Sequence, residues 1–311
     1  MRIGIVGAGA LGSLVGCLLL EAGADVVMLE RDAEEVRTIR QQGLRVEGVS
    51  GERVVTPSIA TDPGAAGKAD LVVVLVKSYD TASATQAVKE ILADDGVVLT
   101  LQNGVGNYEI LNEAFPDRVI LGTTTMGAMT LGQGTIRHTG FGDTHVGEAD
   151  GTIRQRTRNV GALLETMRGG GVHVVDNAVG CVWSKLIINA AINAPATLLR
   201  VRNGDLPATD AGRSLIHEIV EECRAVVSAL GISLLFDDPE ERVVTVCKGT
   251  AANINSMFQD VLAGRRTEID FINGAVARAG EGVGVATPVN RTLARLIKAL
   301  EAPDVERVGG V

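Results

Sequence analysis

Three polar residues recur every four positions within an apolar stretch of the chain, and their chemical types could serve a reaction. Lys185, Asn189 and Asn193 lie in the segment from Cys181 to Thr197, CVWSKLIINAAINAPAT. Because an α-helix turns once in about 3.6 residues, positions four apart stack on one face. The pattern therefore predicts a mostly buried helix that carries one polar row, formed by a cation and two amides.

Lysine is rarely buried without a partner, so this polar row must be satisfied by other groups. A bound ligand would satisfy it, and so would structural hydrogen bonds to a neighbouring domain; the segment by itself supports both interpretations. Pro195 lacks an N–H and leaves the carbonyl of Ala191 without its helical donor. The helix is therefore expected to end or kink just past Asn193.

The composition argues against two classes of partner. The chain has 311 residues, enough for two domains, with 3% aromatic residues and a formal net charge of −9. A surface that binds nucleic acid or an anionic membrane needs basic residues, so neither partner is expected. Glycines interrupt the apolar run that follows Met1, and no stretch reaches the roughly 18 apolar residues of a membrane helix. The first residues are therefore assigned to the fold.

The cysteines and histidines form no metal-binding pattern. The histidines lack an HxxxH spacing, and no CxxC pair occurs among the cysteines, which are Cys17, Cys181, Cys223 and Cys247. The sequence therefore predicts neither a metal site nor a disulfide framework, which is typical of a reducing, cytoplasmic environment.

The N-terminus contains a glycine-rich turn in the setting that dinucleotide binding requires. A predicted strand, Arg2 to Val6, precedes a helical pattern from Ser13 to Ala22, and the turn between them is Gly7, Ala8, Gly9, Ala10, Leu11 and Gly12. The first glycine permits the tight turn, the second lets the backbone approach a pyrophosphate, and the third lets the helix pack against the strand. The N–H groups at the start of the helix favour an anion. This GxGxxG pattern predicts a Rossmann-type unit that binds NAD(H) or NADP(H).

The second predicted strand, Asp25 to Leu29, ends at residues that could read the ribose of such a cofactor. Glu30 would accept hydrogen bonds from the ribose hydroxyls of NAD, whereas Arg31 would pair with the 2′-phosphate of NADP. Both residues are present, so the choice between the two cofactors stays open. Asp32 is expected to cap the following helix, Ala33 to Gln42.

Two later strands end at further candidates. The run Leu71 to Val76 is typical of a parallel strand covered on both faces, and Lys77 follows it. The strand Gly96 to Leu101 leads to Asn103. Because open α/β sheets bind ligands at the carboxyl ends of their strands, we expect Lys77 to touch the cofactor ribose or phosphate. Asn103 would reach the nicotinamide or the substrate, unless Asn-Gly here marks only a turn.

The alternation of strands and helices stops near residue 176. Further strands are predicted around Val119 to Gly122, Gly134 to His138, Thr144 to Gly147 and Val172 to Val175, with a helix at about Ile153 to Met167. Beyond Asn177, helices are predicted at Cys181 to Thr197, Ala211 to Leu230, Pro239 to Lys248, Glu268 to Gly280 and Pro288 to Leu300. The fold class is therefore α/β: a Rossmann-type doubly wound sheet over 1–176, followed by an all-α domain over 177–311.

One segment of the second half, Ala251 to Arg266, has the pattern of a loop. Thr267 and Asp270 are close to a capping box for the next helix, so Glu268 could simply complement the helix dipole. Ser256 has no local feature that would mark it as functional. From local pattern alone, both residues are weak candidates.

These segments together resemble the ketopantoate reductase (2-dehydropantoate 2-reductase) family over nearly the whole chain, from Met1 to about Leu300. The resemblance rests on GAGALG (7–12), VKSYDT (76–81), QNGVGN (102–107), GTTTMGA (122–128), WSKLIINAAINAPATLL (183–199) and NSMFQDVLAGRRTEIDFINGAV (255–276). The last two blocks are far more specific than the glycine motif. The resemblance implies an N-terminal Rossmann domain, a helical C-terminal domain similar to that of 6-phosphogluconate dehydrogenases, and a substrate cleft between them.

The resemblance also implies roles for particular residues. Lys185 would be the general acid in the reduction of a 2-keto acid, and Glu268 would bind the substrate and support the proton transfer. The residues that would position the substrate or the nicotinamide are Asn103, Asn189, Asn193 and Ser256. Asn103 and Glu268 would also contact the cofactor. The resemblance thus turns Ser256 and Glu268 into strong candidates.

The family's usual cofactor is NADP(H), read at the position of Arg31, but a carboxylate such as Glu30 beside a 2′-phosphate is unfavourable and keeps NAD(H) open. The leading function is reduction of ketopantoate to D-pantoate, for pantothenate and coenzyme A synthesis. An NAD-linked D-2-hydroxyacid dehydrogenase for other branched or aromatic 2-keto acids is the first alternative. A dinucleotide-sensing protein without catalysis is the second. The expected partner is a small-molecule 2-keto acid, and a homodimer is left open.

Overall fold

The computed structural model describes residues 1–302 and contains two compact units. The first comprises Met1–Gln102 and Asn107–Ala178, and the second comprises Asn103–Gly106 and the described residues from Val179 onward. The segment Asn103–Gly106 therefore belongs to the second unit although it lies in the N-terminal part of the sequence. The domain boundary proposed at residue 176 stays a prediction.

The first unit contains two β-sheets. Their strands are β1 Arg2–Val6, β2 Asp25–Leu29, β3 Leu44–Gly48, β4 Arg53–Val55, β5 Ser58–Ala60, β6 Ala69–Val74, β7 Leu92–Thr100, β8 Val119–Thr124, β9 Gly127–Gly132, β10 Thr135–Gly140, β11 Thr144–Gly147 and β12 Val172–Val174. The large sheet has the order β12-β11-β8-β7-β6-β1-β2-β5, and the small one has the order β4-β3-β10-β9. In the large sheet every neighbouring pair is parallel except β8 and β11.

Five α-helices accompany these strands: α1 Ala10–Glu21, α2 Ala33–Gln42, α3 Thr81–Ile91, α4 Asn107–Ala114 and α5 Gln155–Glu165. Because β1 lies between β2 and β6, the strand order reverses at β1, and open α/β sheets bind ligands at the carboxyl ends of the strands at such a point. The glycine turn follows β1, Glu30 follows β2, and Lys77 lies shortly after β6. The predicted α/β class with a doubly wound N-terminal sheet is confirmed.

Strand β6 shows why the large sheet is buried on both faces. Leu71 and Val73 belong to one apolar core of the first unit, whereas Val72 and Val74 belong to another. All four side chains are at most 1% exposed. A run of β-branched residues therefore fills both faces, as expected for parallel strands covered by helices.

The second unit is helical over its described residues. Its helices are α6 Ala178–Leu199, α7 Asp210–Ala229, α8 Pro239–Gly249, α9 Ser256–Leu262, α10 Asn273–Gly282 and α11 Pro288–Glu301, with 3₁₀ turns at Asn203–Ala208 and Ile269–Phe271. Ile187 and Ala190 of α6 share one apolar core with Ile219 of α7 and Ile297 of α11, and all four are fully buried. The predicted helical character beyond Asn177 is confirmed for this part of the chain.

Helix α6 was expected to end or kink just past Asn193, and the first of these alternatives is wrong. The helix continues through Pro195 to Leu199. Ala194, Ala196 and Thr197 are at most 1% exposed, so burial of this last turn offsets the hydrogen bond that proline removes. The hydroxyl of Thr197 also donates to the carbonyl oxygen of Asn193, at 2.6 Å.

Two predictions around Glu268 are also wrong. The segment interpreted as a loop contains α9, whose first turn is capped by the side chain of Asn255 accepting from the N–H of Phe258. The helix predicted from Glu268 is replaced by the 3₁₀ turn Ile269–Phe271, and α10 starts only at Asn273. An Asn cap placed three residues before a buried Phe was the local signal for α9.

Strands β3, β4, β5 and β9 were not predicted. They are three to six residues long, and the pairing of β3 with β10 joins Arg45 to Thr135 across a long stretch of sequence. Short strands of this kind are stabilised by partners that local periodicity does not reveal.

None of the described helices combines the length and the apolar character that a membrane crossing requires. Within residues 1–302, no group of three or more His, Cys, Asp or Glu side chains is arranged to hold a metal ion.

Gly12→Ala is expected to destabilise the first unit. A Cβ at this position would lie 2.0 Å from the carbonyl oxygen of Gly7, a backbone atom that cannot move without opening the turn. We expect the free energy of unfolding to fall by roughly 1–3 kcal/mol, the usual result of overpacking, as measured by denaturant unfolding. Gly140→Ala is the matched control, because a Cβ there meets nothing within 4 Å. Wild-type stability of Gly12→Ala would contradict this close packing.

Candidate active site

The turn between β1 and α1 has the geometry that its glycines require. Gly7 has a φ of +96°, and a Cβ there would lie 2.5 Å from the backbone nitrogen of Val76. The N–H groups of Gly7 and Ala8 donate to the carbonyl oxygen of Leu29, at 3.0 and 3.2 Å, and tie the turn to the end of β2. A Cβ at Gly9 would meet no heavy atom within 4 Å. The backbone at Gly9 is therefore open to close approach by a ligand.

Helix α1 starts with N–H groups that suit an anion. Its first intrahelical hydrogen bond runs from the N–H of Ser13 to the carbonyl of Gly9, at 2.8 Å, and no side chain caps this end. The N–H groups of Ala10, Leu11 and Gly12 precede that bond and lie at the positive end of the helix dipole. The turn thus fits the pyrophosphate of a dinucleotide.

The end of β2 carries three charged residues with different partners. Asp32 caps α2, as predicted, by accepting from the N–H groups of Glu34 and Glu35. Glu30 accepts from the N–H of Asp32, at 3.2 Å through Oε1. Arg31 has a largely exposed side chain. Both candidate readers of a ribose are therefore present at the carboxyl end of β2.

Lys77 lies between β6 and a short 3₁₀ turn, Ser78–Asp80. Its carbonyl oxygen accepts from the N–H of Asp80, at 2.8 Å. The neighbouring residue Val76 is the one whose backbone leaves no room for a side chain at Gly7. The chain at Lys77 therefore runs beside the glycine turn, where the sequence predicted a contact with the cofactor.

In the second unit, hydrogen bonds join Lys185, Asn103 and Glu268. Nζ of Lys185 donates to Oδ1 of Asn103 at 2.8 Å, and Nδ2 of Asn103 donates to Oε2 of Glu268 at 3.3 Å. The amide oxygen faces the ammonium and the amide nitrogen faces the carboxylate, so each end of Asn103 meets the group of complementary charge. The amide thus bridges the cation and the anion.

A backbone contact holds Asn103 in this position. The N–H of Val105 donates to the carbonyl oxygen of Phe271 at 3.0 Å, and the N–H of Phe271 donates to the carbonyl of Glu268 at 2.9 Å. Gly104, between Asn103 and Val105, has a φ of +84°, and a Cβ there would lie 2.3 Å from the same Phe271 oxygen. Glycine is therefore required where the segment carrying Asn103 lies against the turn that follows Glu268.

The electrostatics of this group centre on Lys185. Burial lowers the pKa of Lys185 to about 8, and the carboxylate of Glu268 opposes that shift. Glu268 itself is only 6% exposed. A lysine with a pKa near neutrality can exchange a proton with a bound molecule far more readily than an ordinary surface lysine.

The structure does not join the other predicted substrate residues to this group by hydrogen bonds. Asn189 is partly buried and Asn193 is 6% exposed on the same helix as Lys185. Ser256 is exposed at the first position of α9. Within the described residues, the side chains of Asn189 and Asn193 have no hydrogen-bonding partner in the protein. Their amides are available to a ligand.

Sequence reasoning missed Asn273, which fastens α6 from its buried side. Its fully buried amide nitrogen donates to the carbonyl oxygen of Ala190 at 3.1 Å and to Oδ1 of Asn290 at 3.0 Å. Asn290 in turn donates to a carboxylate oxygen of Glu222, at 2.8 Å. An asparagine within an apolar stretch was its only mark in the sequence. This network connects α6 with α7, α10 and α11.

Together, the fold and these residues define a dinucleotide-binding α/β protein with a lysine–amide–carboxylate group in its helical unit. The family model for ketopantoate reductase PanE/ApbA matches residues 3–151, and the model for the C-terminal part of ketopantoate reductase PanE/ApbA matches residues 177–301. The chain therefore belongs to the ketopantoate reductase family, and the resemblance seen in its motifs is confirmed.

Individual relatives agree with this assignment. A protein of Halobacterium salinarum named 2-dehydropantoate 2-reductase is 41% identical over 302 residues, which are 96% of this chain and 98% of that one. The crystal structure of a PanE/ApbA family ketopantoate reductase from Ralstonia eutropha JMP134 matches with a TM-score of 0.89 and 34% identity, covering 97% and 98% of the two chains. The ternary structure of D-mandelate dehydrogenase with NADH and anilino(oxo)acetate matches with a TM-score of 0.88 and 27% identity, over 97% and 98%.

Lys185→Met is expected to change the way stability depends on pH. The pKa of Lys185 is about 8 in the folded protein, below the ordinary value of 10.5 that holds in the unfolded chain. Between these values the unfolded chain keeps a proton that the folded chain has released, so wild-type stability rises with pH relative to the variant. The relative gain should be roughly 2 kcal/mol from about pH 7 to about pH 9.5.

Denaturant unfolding of both proteins at each pH measures this difference, and shifts from other titrating groups cancel between them. A constant difference in stability across the range would contradict the lowered pKa of Lys185.

Proposed function

We propose that the protein is a 2-dehydropantoate 2-reductase that reduces the C2 ketone of ketopantoate to D-pantoate at the expense of NADPH. The observation that carries the proposal is the hydrogen-bonded group of Lys185, Asn103 and Glu268, in a chain that matches the family over nearly its whole length. A cation that can release a proton beside a carboxylate suits the reduction of a polar keto acid.

Lys185 is assigned as the general acid. Reduction of a ketone builds negative charge on its oxygen, which must be protonated or neutralised. With a pKa of about 8, Lys185 is mostly protonated at neutral pH, yet it gives up its proton more readily than an ordinary lysine. Asn103 accepts one Nζ hydrogen and thereby orients the ammonium.

The remaining polar residues are assigned to substrate binding. Ketopantoate has carboxylate and keto oxygens that need donors, and Asn189, Asn193 and Ser256 can supply them. Its hydroxyl group can donate to the carboxylate of Glu268. Asn103 is assigned a second contact with the nicotinamide or the substrate, and Glu268 a contact with the cofactor.

The residues of the first unit fit the nicotinamide dinucleotide that this reaction needs, which supplies the hydride from C4 of its ring when bound. The turn Gly7-Ala8-Gly9 and the N–H groups of Ala10, Leu11 and Gly12 are assigned to the pyrophosphate. Lys77 is assigned to a ribose or phosphate group. Arg31 favours NADPH and Glu30 favours NADH, and the family's usual cofactor makes NADPH our first choice.

A second candidate is an NAD-linked D-2-hydroxyacid dehydrogenase. Two observations favour it: the structural likeness to a D-mandelate dehydrogenase bound to NADH, and the carboxylate of Glu30 at the end of β2. A sensor without catalysis is disfavoured, because a protein that only bound a dinucleotide would not need Lys185, Asn103 and Glu268 together. The expected cytoplasmic location and the homodimer left open from the sequence stay predictions.

An assay with two cofactors and two substrate classes tests the proposal. The oxidation of NADPH is measured as the loss of nicotinamide absorbance. We expect a higher kcat/KM with ketopantoate than with 2-ketoisovalerate or phenylglyoxylate, because only ketopantoate offers a hydroxyl group to Glu268. Parallel runs with NADH give the cofactor preference. Reduction of phenylglyoxylate without any reduction of ketopantoate would move the assignment to the dehydrogenase.

Lys185→Ala is expected to lower kcat by roughly 10²- to 10⁴-fold, the usual contribution of general acid catalysis, while the affinity for the dinucleotide is kept. Because reduction needs the ammonium form, the wild-type rate should decline as the pH rises through about 8, and the reverse oxidation should accelerate over the same range. Lys248→Ala, at an exposed lysine near the end of α8, is the matched control. A wild-type kcat in Lys185→Ala would exclude this lysine as the acid.

A further inference from the structure

Arg31, the residue assigned to a 2′-phosphate, is already paired with a carboxylate of its own unit. Its terminal nitrogen Nη2 lies 2.9 Å from Oδ2 of Asp80, and the two side chains are 77% and 23% exposed. Arg31 follows β2, whereas Asp80 lies in the 3₁₀ turn after β6. The tertiary fold therefore brings a carboxylate to the guanidinium that was predicted to pair with the 2′-phosphate of NADP.

The two acids that neighbour Arg31 in the sequence have backbone partners instead. Glu30 accepts from the N–H of Asp32, and Asp32 accepts from the first N–H groups of α2. Asp80, by contrast, does not cap α3 with its side chain. Among residues 1–302, Asp80 is therefore the carboxylate that engages the guanidinium of Arg31.

The backbone of Asp80 does not depend on its charge. Its N–H donates to the carbonyl of Lys77 at 2.8 Å, and its carbonyl accepts from the hydroxyl of Ser83, also at 2.8 Å. Both bonds can persist in an asparagine of the same shape. The side chain can therefore be neutralised while the turn that carries it is kept.

A carboxylate beside Arg31 affects the two cofactors differently. NADP(H) carries a 2′-phosphate with up to two negative charges, and its binding gains from a free guanidinium and loses from a nearby carboxylate. NAD(H) carries a neutral hydroxyl at the same carbon, so it is nearly indifferent to both charges. Asp80 therefore weakens the binding of NADP(H) in two ways: it engages the guanidinium of Arg31, and its own charge repels the 2′-phosphate.

We propose that Asp80 is a specificity-determining residue that engages Arg31 and thereby lowers the protein's preference for NADPH over NADH. The inference rests on the proposed binding of a nicotinamide dinucleotide at the end of β2, and it does not depend on which keto acid is reduced. Asp80 acts through Arg31 and takes no part in the chemical step.

Fluorescence titration of the full-length protein with NADPH and with NADH, without a keto acid, tests the proposal. In Asp80→Asn the ratio of the Kd for NADH to the Kd for NADPH should rise at least about threefold, the scale expected for a partly exposed charge. The same substitution in an Arg31→Gln background should raise the ratio of that background by less, because only the direct repulsion between the carboxylate and the 2′-phosphate is then removed.

Asp25→Asn is the matched control. Asp25 also pairs with an arginine, Arg2, at 3.8 Å, but at the opposite end of β2. The substitution therefore removes the same charge from the same unit. The cofactor ratio should not change in this variant.

An unchanged or lowered ratio in Asp80→Asn, an equal rise in the Arg31→Gln background, or failure of both dinucleotides to bind would overturn the proposal. If the ratio rises as expected while ketopantoate is not reduced, the role of Asp80 stands and only the proposed substrate is lost.

Discussion

A lysine ammonium that is surrounded by protein loses most of its hydration, and at Lys185 the amide of Asn103 replaces part of it. The contact is short, 2.8 Å between Nζ and Oδ1, and the other end of the amide donates to Glu268. The neutral amide thus accepts from the ammonium at one end and donates to the carboxylate at the other. Desolvation can then lower the pKa of Lys185 to about 8 against the pull of Glu268.

Much of the second unit serves to hold these three residues. Lys185 lies on α6, whose apolar side is packed among α7 and α11 and whose backbone is fastened by Asn273. Asn103 is held through its neighbours. The N–H of Val105 donates to the carbonyl of Phe271, and the backbone of Phe271 lies too close to Gly104 for a side chain at that position. Rigid packing of this kind is what a site needs in order to keep a charge desolvated and oriented.

The first unit fits a different group, the doubly negative pyrophosphate of a nicotinamide dinucleotide, although the protein is acidic. The glycine turn offers backbone N–H groups instead of lysines, so the attraction is local and does not require a basic surface. At the end of β2, Arg31 pairs with the carboxylate of Asp80 in the turn after β6, whereas Glu30 accepts from the N–H of Asp32. Under the proposed role of Asp80, one substitution in this turn alters the choice of cofactor and leaves the Lys185 group of the second unit untouched.

The sequence by itself determined the features that depend on neighbours within a few positions. The glycine turn, the cap of α2 by Asp32, the strand β2 and the placement of Lys185, Asn189 and Asn193 on one helix all follow from local periodicity and backbone geometry. Family motifs added Glu268 and Ser256, which local patterns had left weak.

Only the tertiary structure decided which of these residues meet. Asn103 lies 82 positions from Lys185 and 165 from Glu268, and no local pattern contains such pairings. The pairing of Arg31 with Asp80, the bond from Val105 to Phe271 and the survival of α6 beyond Pro195 likewise depend on segments that the fold brings together. The reason is physical: hydrogen bonds, ion pairs and burial act through space, whereas periodicity reports only which face of its own helix or strand a residue occupies.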